Sequence, residues 1–252
     1  MLDTKFMKVR ARQEELWEEC EKYWSRVGGI PNLEGLSLLD VGSGHGNMAI
    51  MAAQAGAKRV VGVDTSDSRI DFCKKVLTTE FSQYQHVIDY QNQDICNYTP
   101  GFKFDYVISF SSFEHIVDLE NGFNAMYELL KPGGRMFIGF GPLYNSPFGD
   151  HGWTQVPIPW GHVFLSERFI VDRINRKNAK RKISQIEDLG LNKWPLSRYR
   201  ELFEKHSSEL EFYKENHGDS SKLKALRLLA SLPFMHEFFT NNIYFILRKK
   251  SF

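Results

Sequence analysis

In Asp40-Val41-Gly42-Ser43-Gly44-His45-Gly46-Asn47, three alternate glycines follow the apolar run Leu38-Leu39 and precede a helical pattern. Glycine has no Cβ, so such a stretch can turn tightly at a strand end and let a ligand lie against N–H groups at the start of the next helix. The spacing is not the G-x-G-x-x-G that cradles a dinucleotide, because Asn47 stands where the third glycine belongs. A second apolar run, Arg59-Val60-Val61-Gly62-Val63-Asp64, ends in a carboxylate able to accept two hydrogen bonds from a ribose diol, with Thr65 behind it. Asp94-Ile95 closes a third, and Glu114-His115 follows a fourth. An imidazole with a pKa near 6.5 is largely neutral at cell pH and can take a proton from an acceptor group.

Five motifs in this order resemble the class I S-adenosylmethionine-dependent methyltransferases, in particular the ubiquinone-biosynthesis O-methyltransferases. They are Asp40 to Gly46, the strand ending at Asp64, Gln93-Asp94-Ile95, Phe104 to Phe110 running into Phe113-Glu114-His115-Ile116, and Leu130-Lys131-Pro132-Gly133-Gly134. The resemblance covers roughly residues 30 to 140 and is looser beyond. It implies S-adenosylmethionine as cofactor, held by Asp40, Gly42, Ser43, Gly44 and Gly46, with Asp64 and Thr65 at the ribose. It further implies Asp94 at the adenine amine, Ile95 over a ring face, and Ser109 and Phe110 facing the methionine part. Read without it, Asp64 and Asp94 are strand-end or turn acids.

These residues need strand ends on one edge of a sheet. Apolar runs and helical periods alternate as strands 37–41, 59–63, 86–91, 104–110 and 134–140, with helices 45–55, 67–79 and about 118–130 between them. Such alternation predicts an α/β fold with a parallel sheet covered on both faces, where ligands bind at the carboxyl ends of strands. Strands 209–214 and 242–248 fit the antiparallel hairpin that closes the seven-stranded, Rossmann-like doubly wound sheet of the resembled family, with the last strand antiparallel. Helices around 197–206 and 220–230 accompany them. An amphipathic helix over 8–27, with Val9, Leu16, Cys20, Tyr23, Trp24 and Val27 on one face, either covers the cofactor or packs on the sheet. The predicted organisation is a helical cover over 1–30, a methyltransferase core over 31–140 and 197–252, and an insertion over 141–196.

The insertion breaks the periodicity and is far longer than an ordinary loop, which marks it as a substrate lid. His151 and His162 either line an acceptor pocket, as alternative bases to His115, or satisfy loop backbone. Tyr144, Trp153 and Trp160 stack an acceptor ring or form the lid's own core. Asp150-His151 with His162 matches no strong metal-ligand spacing, so no metal is expected. His115 itself is a proton acceptor or a structural histidine, and Glu114 reads first as a helix-start acid, otherwise as a cofactor-pocket contact or a partner orienting His115. The basic run Arg173, Arg176, Lys177, Lys180, Arg181 and Lys182 is a solvated helical face, or a site for an anionic substrate or membrane surface.

Composition bounds these readings. The 252 residues suffice for one large α/β domain or a domain with an insertion. Three widely spaced cysteines, Cys20, Cys73 and Cys96, argue against a disulfide framework or a zinc knuckle. A formal net charge of +1 argues against nucleic acid as partner. No apolar run is long enough to span a bilayer and no signal peptide is visible, so the expectation is a cytoplasmic protein without stable membrane insertion. The reading is methyl transfer to a small-molecule or glycan-type acceptor at oxygen, with a small amine as the other acceptor. The rival is a non-catalytic relative that keeps the cofactor pocket and binds a partner. The apolar positions of 220–238 pack on the chain's own sheet or on a second copy in a homodimer.

Overall fold

The computed structural model describes residue 15 and residues 17–177, 182–206 and 209–251. Val9 and Leu16 of the N-terminal pattern, and Lys180 and Arg181 of the basic run, lie outside them. A seven-stranded sheet has the order β3-β2-β1-β4-β5-β7-β6, with β1 Ser37–Val41, β2 Arg59–Asp64, β3 Ile88–Asn92, β4 Phe104–Phe110, β5 Leu130–Phe140, β6 Leu210–Glu215 and β7 Ile243–Arg248. This is the Rossmann-like methyltransferase fold, with the last strand antiparallel. By contact the chain forms two compact units. One holds residues 1–110, 123–138 and 246–252, the other 111–122 and 139–245.

In the first unit β1 is buried at every position and β2 at all but Arg59, the pattern of parallel strands covered on both faces. The register pairs Asp40 with both Gly62 and Ile108, and Asp64 with Asn92, so the carboxyl ends of these parallel strands finish on one edge. Helix α1, residues 17–26, buries Cys20, Tyr23 and Trp24. The Tyr23 ring lies 4.9 Å from Phe110 and that of Trp24 5.8 Å from Phe137, so this helix packs on the sheet. Helix α2, Asn47–Gln54, starts at Gly46, whose φ of 84° is left-handed. Helix α3, Asp67–Thr79, buries Ile70, Cys73, Val76 and Leu77 along one stripe.

Two of the boundaries that differ from the sequence reading have a visible cause. Strand β3 begins two residues later than expected, because a 3-10 turn over Ser82–Tyr84 and the turn after it take up the preceding residues. Strand β5 runs through Pro132-Gly133-Gly134 instead of starting at Gly134. There Gly133 N–H donates to Lys249 O and Lys249 N–H to Gly134 O, so the antiparallel neighbour recruits the turn residues into the ladder.

The second unit contains helices α4 Leu119–Glu128 in its first turn, α5 Gly161–Phe164, α6 Glu167–Lys177, α7 Leu196–Glu204, α8 Ser221–Ala230 and α9 His236–Phe239. The segment after β5 has a core of its own: Val156, Ile170, Ile174, Ile183, Ile186 and Leu191, with Tyr144 packed against it. Three cations of the basic run donate to backbone carbonyls. Arg173 Nη2 donates to Gln155 O, Arg176 Nε to Asp172 O, and Lys182 Nζ to Asn175 O.

Candidate active site

The glycine turn in the first unit is left-handed at Gly42, Gly44 and Gly46. At Gly46 the reason is also steric. An added Cβ would lie 2.5 Å from Tyr90 Oη, which donates to Gly46 O at 2.9 Å. A Cβ on Gly44 would meet only Gly42 O, at 3.8 Å, so the backbone there borders open space.

The expected row of N–H groups facing a ligand needs correction. Gly42 and Ser43 donate to Val63 O, Gly46 donates to Ser43 O, and Gly44 donates to Asp64 Oδ2 at 3.0 Å. Strand β2 takes the donors of Gly42, Ser43 and Gly44, and the turn itself takes that of Gly46. The Asp64 carboxylate remains an acceptor for a polar ligand beside these engaged donors. Asp64 also accepts from Ser66 N–H at 2.9 Å and stands 3.6 Å from Arg69, yet each carboxylate oxygen keeps lone-pair capacity.

Asp40 is buried beneath the turn with Oδ2 unpartnered, as is Ser43 Oγ. Burial first, and then the charge of Asp64, push the Asp40 carboxyl up to about 7. Thr65 is exposed beside the turn. Asp94 Oδ1 accepts from Cys96 N–H at 2.9 Å, capping the short turn that buries Ile95. Ser109 is buried and its hydroxyl donates to Val41 O at 3.0 Å, tying the ends of β4 and β1. Phe110 packs on Tyr23.

In the second unit a 3-10 turn over Phe113–His115 carries the Glu-His pair. Phe113 is its anchor, packed 5.3 Å from Phe140 and 6.1 Å from Phe245. Asn192 clamps the turn. Its Nδ2 donates to Phe113 O at 2.7 Å and Ile116 O at 3.1 Å, its N–H donates to Glu114 O, and its Oδ1 accepts from Trp194 N–H and Tyr199 Oη.

His115 is half-buried, with Nδ1 2.9 Å from Gly190 O. A carbonyl only accepts, so this bond selects the tautomer protonated at Nδ1 and leaves the lone pair on Nε2. Trp153 stacks on the imidazole at 4.9 Å with planes 20° apart, and is itself 40% exposed. His151 lies 4.9 Å from His115, ring to ring. Burial, then the neighbouring His115, push His151 down to about 4, so it is neutral.

Glu114 accepts from Gly141 N–H through Oε1 at 3.2 Å, while its buried Oε2 has no partner, and burial raises its pKa. One ligand atom each from Glu114, His115 and His151 lie within 4.8 Å of one another. Glu114 is therefore more than the helix-start acid of the sequence reading.

Other candidates take structural places. His162 is 3% exposed, donates from Nε2 to Tyr144 O, and faces Asp150 Oδ1 from Nδ1 at 3.7 Å. Thr154 donates to the other Asp150 oxygen. A ring so enclosed does not meet an acceptor, and the expectation that His162 is a base is corrected on that ground. Trp160 donates from Nε1 to Phe238 O and packs on Phe239. Tyr144 belongs to the core of the segment after β5. Of the three aromatic candidates, Trp153 alone is an exposed large hydrophobic residue. Sequence reasoning missed Gly190 and Asn192, two loop residues with no periodic or motif signal.

A profile described as "Methyltransferase domain" matches residues 10–206. The chain belongs to this methyltransferase family. It is an S-adenosylmethionine-dependent enzyme, and the left-handed turn beside Asp64 fits that cofactor. The methyltransferase is 26% identical over 200 residues to the ubiquinone biosynthesis O-methyltransferase of Rhodopseudomonas palustris, covering 71% of this chain and 72% of that one. It is 34% identical over 183 residues to that of Bartonella tribocorum, covering 65% and 66%. Across such curated relatives the matches span between 45% and 72% of their length.

A putative S-adenosylmethionine-dependent methyltransferase of Listeria monocytogenes shares the fold with a TM-score of 0.59 at 14% identity, covering 92% of this chain and all of that one. The magnesium protoporphyrin IX methyltransferase of Synechocystis does so with a TM-score of 0.55 at 15% identity, covering 99% and 89%. Among the described residues no helix of the methyltransferase is long and apolar enough to cross a membrane.

Proposed function

We propose that this methyltransferase acts on a hydroxyl oxygen of a small-molecule or glycan-type acceptor, with His115 as the proton acceptor. The observation that carries this reading is the His115–Gly190 hydrogen bond, which holds Nε2 as a free lone pair on a fixed ring. Bound S-adenosylmethionine supplies an electrophilic methyl group, which leaves with the C–S electron pair remaining on sulfur. The protein's part is alignment and removal of the hydroxyl proton. Nε2 of His115 takes that proton, Gly190 O stabilises the resulting imidazolium through Nδ1–H, and exposed Trp153 offers a flat face for an acceptor ring. The O-methyltransferase names of the relatives support oxygen over nitrogen.

The test is release of S-adenosylhomocysteine with phenols, sugars and small amines, in the wild type and His115→Ala. Turnover with hydroxyl acceptors that disappears in the variant supports the proposal. A preference for amines, or a variant as active as wild type, overturns it.

The cluster of Glu114, His115 and His151 favours a second reading, because a carboxylate and two imidazoles are a donor set for a divalent transition-metal ion. Those three residues would hold it, and its chemistry would be to lower the pKa of the acceptor hydroxyl. Under this reading chelator stops turnover, added Mn²⁺ or Zn²⁺ restores it, and His151→Ala abolishes the restoration. If chelator has no effect, His115 acts alone.

A further inference from the structure

Helix α8 has two apolar faces. Leu223, Leu226 and Ala230 are buried in the second unit, and Ser220 caps the helix by accepting from Leu223 N–H. On the other side and just beyond it, Leu228 is 71% exposed and Phe234 95% exposed, with Leu229, Leu232 and Met235 also open to solvent. Monomeric proteins seldom concentrate large apolar side chains on one exposed segment without a use for them. Phe234 also has a left-handed φ of 63°, a strained conformation for a bulky residue. It sits in the short turn that leads into α9, where Leu232 N–H bonds Leu229 O and Met235 N–H bonds Leu232 O.

From residue 220 to 236 every charge in the chain has one sign, with exposed Asp219 standing just before the helix and Glu215 facing His236. Lys222, Lys224 and Arg227 are exposed on α8, His236 follows the ridge, and residues 220–236 contain no Asp or Glu. The next acid in the chain, Glu237, is turned to other partners, accepting from Leu196 N–H and Asn145 Nδ2. Lys222 Nζ stands 5.4 Å over the ring of Phe148, another exposed apolar residue. Cations beside exposed Leu and Phe make the pattern of a helix that lies in a membrane interface, with apolar groups in the acyl boundary and basic groups at lipid phosphates.

We propose that the Leu228–Met235 ridge docks the methyltransferase peripherally on an anionic lipid bilayer. Charge complementarity chooses this occupant over a second copy of the chain. A two-fold contact through the ridge would bring Lys224 and Arg227 of both copies together with no ridge carboxylate to neutralise them, whereas anionic headgroups neutralise all three basic residues of α8. The proposal is independent of the acceptor and of the proton-transfer reading above.

The experiment is co-sedimentation of the full chain with vesicles of phosphatidylcholine alone and of phosphatidylcholine mixed with phosphatidylglycerol. The expected result is at least about tenfold stronger binding to the mixed vesicles, weakening as salt rises. Leu228→Ser with Phe234→Ser, and separately Lys224→Glu with Arg227→Glu, should each reduce that binding by about tenfold. S-adenosylhomocysteine affinity in solution should stay at wild-type values in both pairs, and melting temperature should do so in the Leu228/Phe234 pair, while the Lys224/Arg227 pair loses only the Arg227–Gly218 O bond. Failure to bind mixed vesicles, equal binding to neutral ones, or variants that bind like wild type would overturn the proposal. So would a dimer, seen by light scattering, that Phe234→Ser dissolves, since a second copy would then be the occupant.

Discussion

Gly190 O lies 2.9 Å from His115 Nδ1, and this contact decides which nitrogen of the imidazole can act. Gly190 is itself left-handed, with a φ of 86°, and closes the 3-10 turn Ile186–Leu189. His115→Ala should lower kcat by roughly 10²–10⁴-fold, the range of a lost general base, with S-adenosylhomocysteine affinity kept. Gly190→Val should cost about 1–2 kcal/mol of stability from backbone strain and reduce kcat as the carbonyl shifts. Denaturant unfolding and steady-state kinetics on the same preparations check both.

Asn192 should behave as a positioning residue. Its side chain bonds Phe113 O, Ile116 O, Trp194 N–H and Tyr199 Oη, so Asn192→Ala leaves several buried groups unpaired. The expected loss is roughly 2–4 kcal/mol of stability, with kcat falling more than cofactor affinity because the turn bearing His115 loosens. Calorimetric titration with S-adenosylhomocysteine beside the kinetics separates this from general unfolding; equal losses in both would remove the positioning role.

Asp64 has two tasks with different signatures. It accepts from Gly44 N–H and Ser66 N–H, and we propose that it also accepts from the cofactor ribose. Asp64→Ala should weaken cofactor binding by roughly 1–3 kcal/mol and lower the melting temperature as well. Asp64→Asn retains a single acceptor oxygen and should be milder in both measurements. Cofactor affinity unchanged in Asp64→Ala would take Asp64 out of the site.

Asp40 should give the free protein a pH-dependent stability. Its carboxyl titrates at about 7 when folded and near 4 when unfolded, so between these values the folded state holds a proton that the unfolded state has released. Stability from this group is greatest below about pH 4, falls as pH rises to about 7, and is flat above. Asp40→Asn has no such proton to lose. At pH 8 it should be more stable than wild type by on the order of a few kcal/mol and so melt higher, with the gap closing toward pH 4. Thermal melts across this range, with no cofactor added, measure the slope.

The order of elements was legible because it rests on local patterns. Parallel strands buried on both faces must read as apolar runs, and β1, β2 and β4 do, ending where Val41, Asp64 and Phe110 end. Boundaries were missed where a distant partner overrode local chemistry, as when Lys249 drew Gly133 and Gly134 into β5. The turn glycines were legible too, but where their N–H groups point was not, because Val63 O and the Asp64 carboxylate belong to the neighbouring strand.

Periodicity and motifs a few residues long carry the fold class, the family resemblance and the positions of Asp64 at the end of β2 and His115 just past the end of β4. How each histidine is held is settled by tertiary packing. His115, His151 and His162 are the same residue type in similarly polar loops, yet one is fixed by Gly190 and capped by exposed Trp153, one is half-buried and neutral beside it, and one is enclosed with Asp150. The physical reason is that tautomer and exposure are set by groups far away in the chain, and their approach is a property of packing that no local pattern encodes.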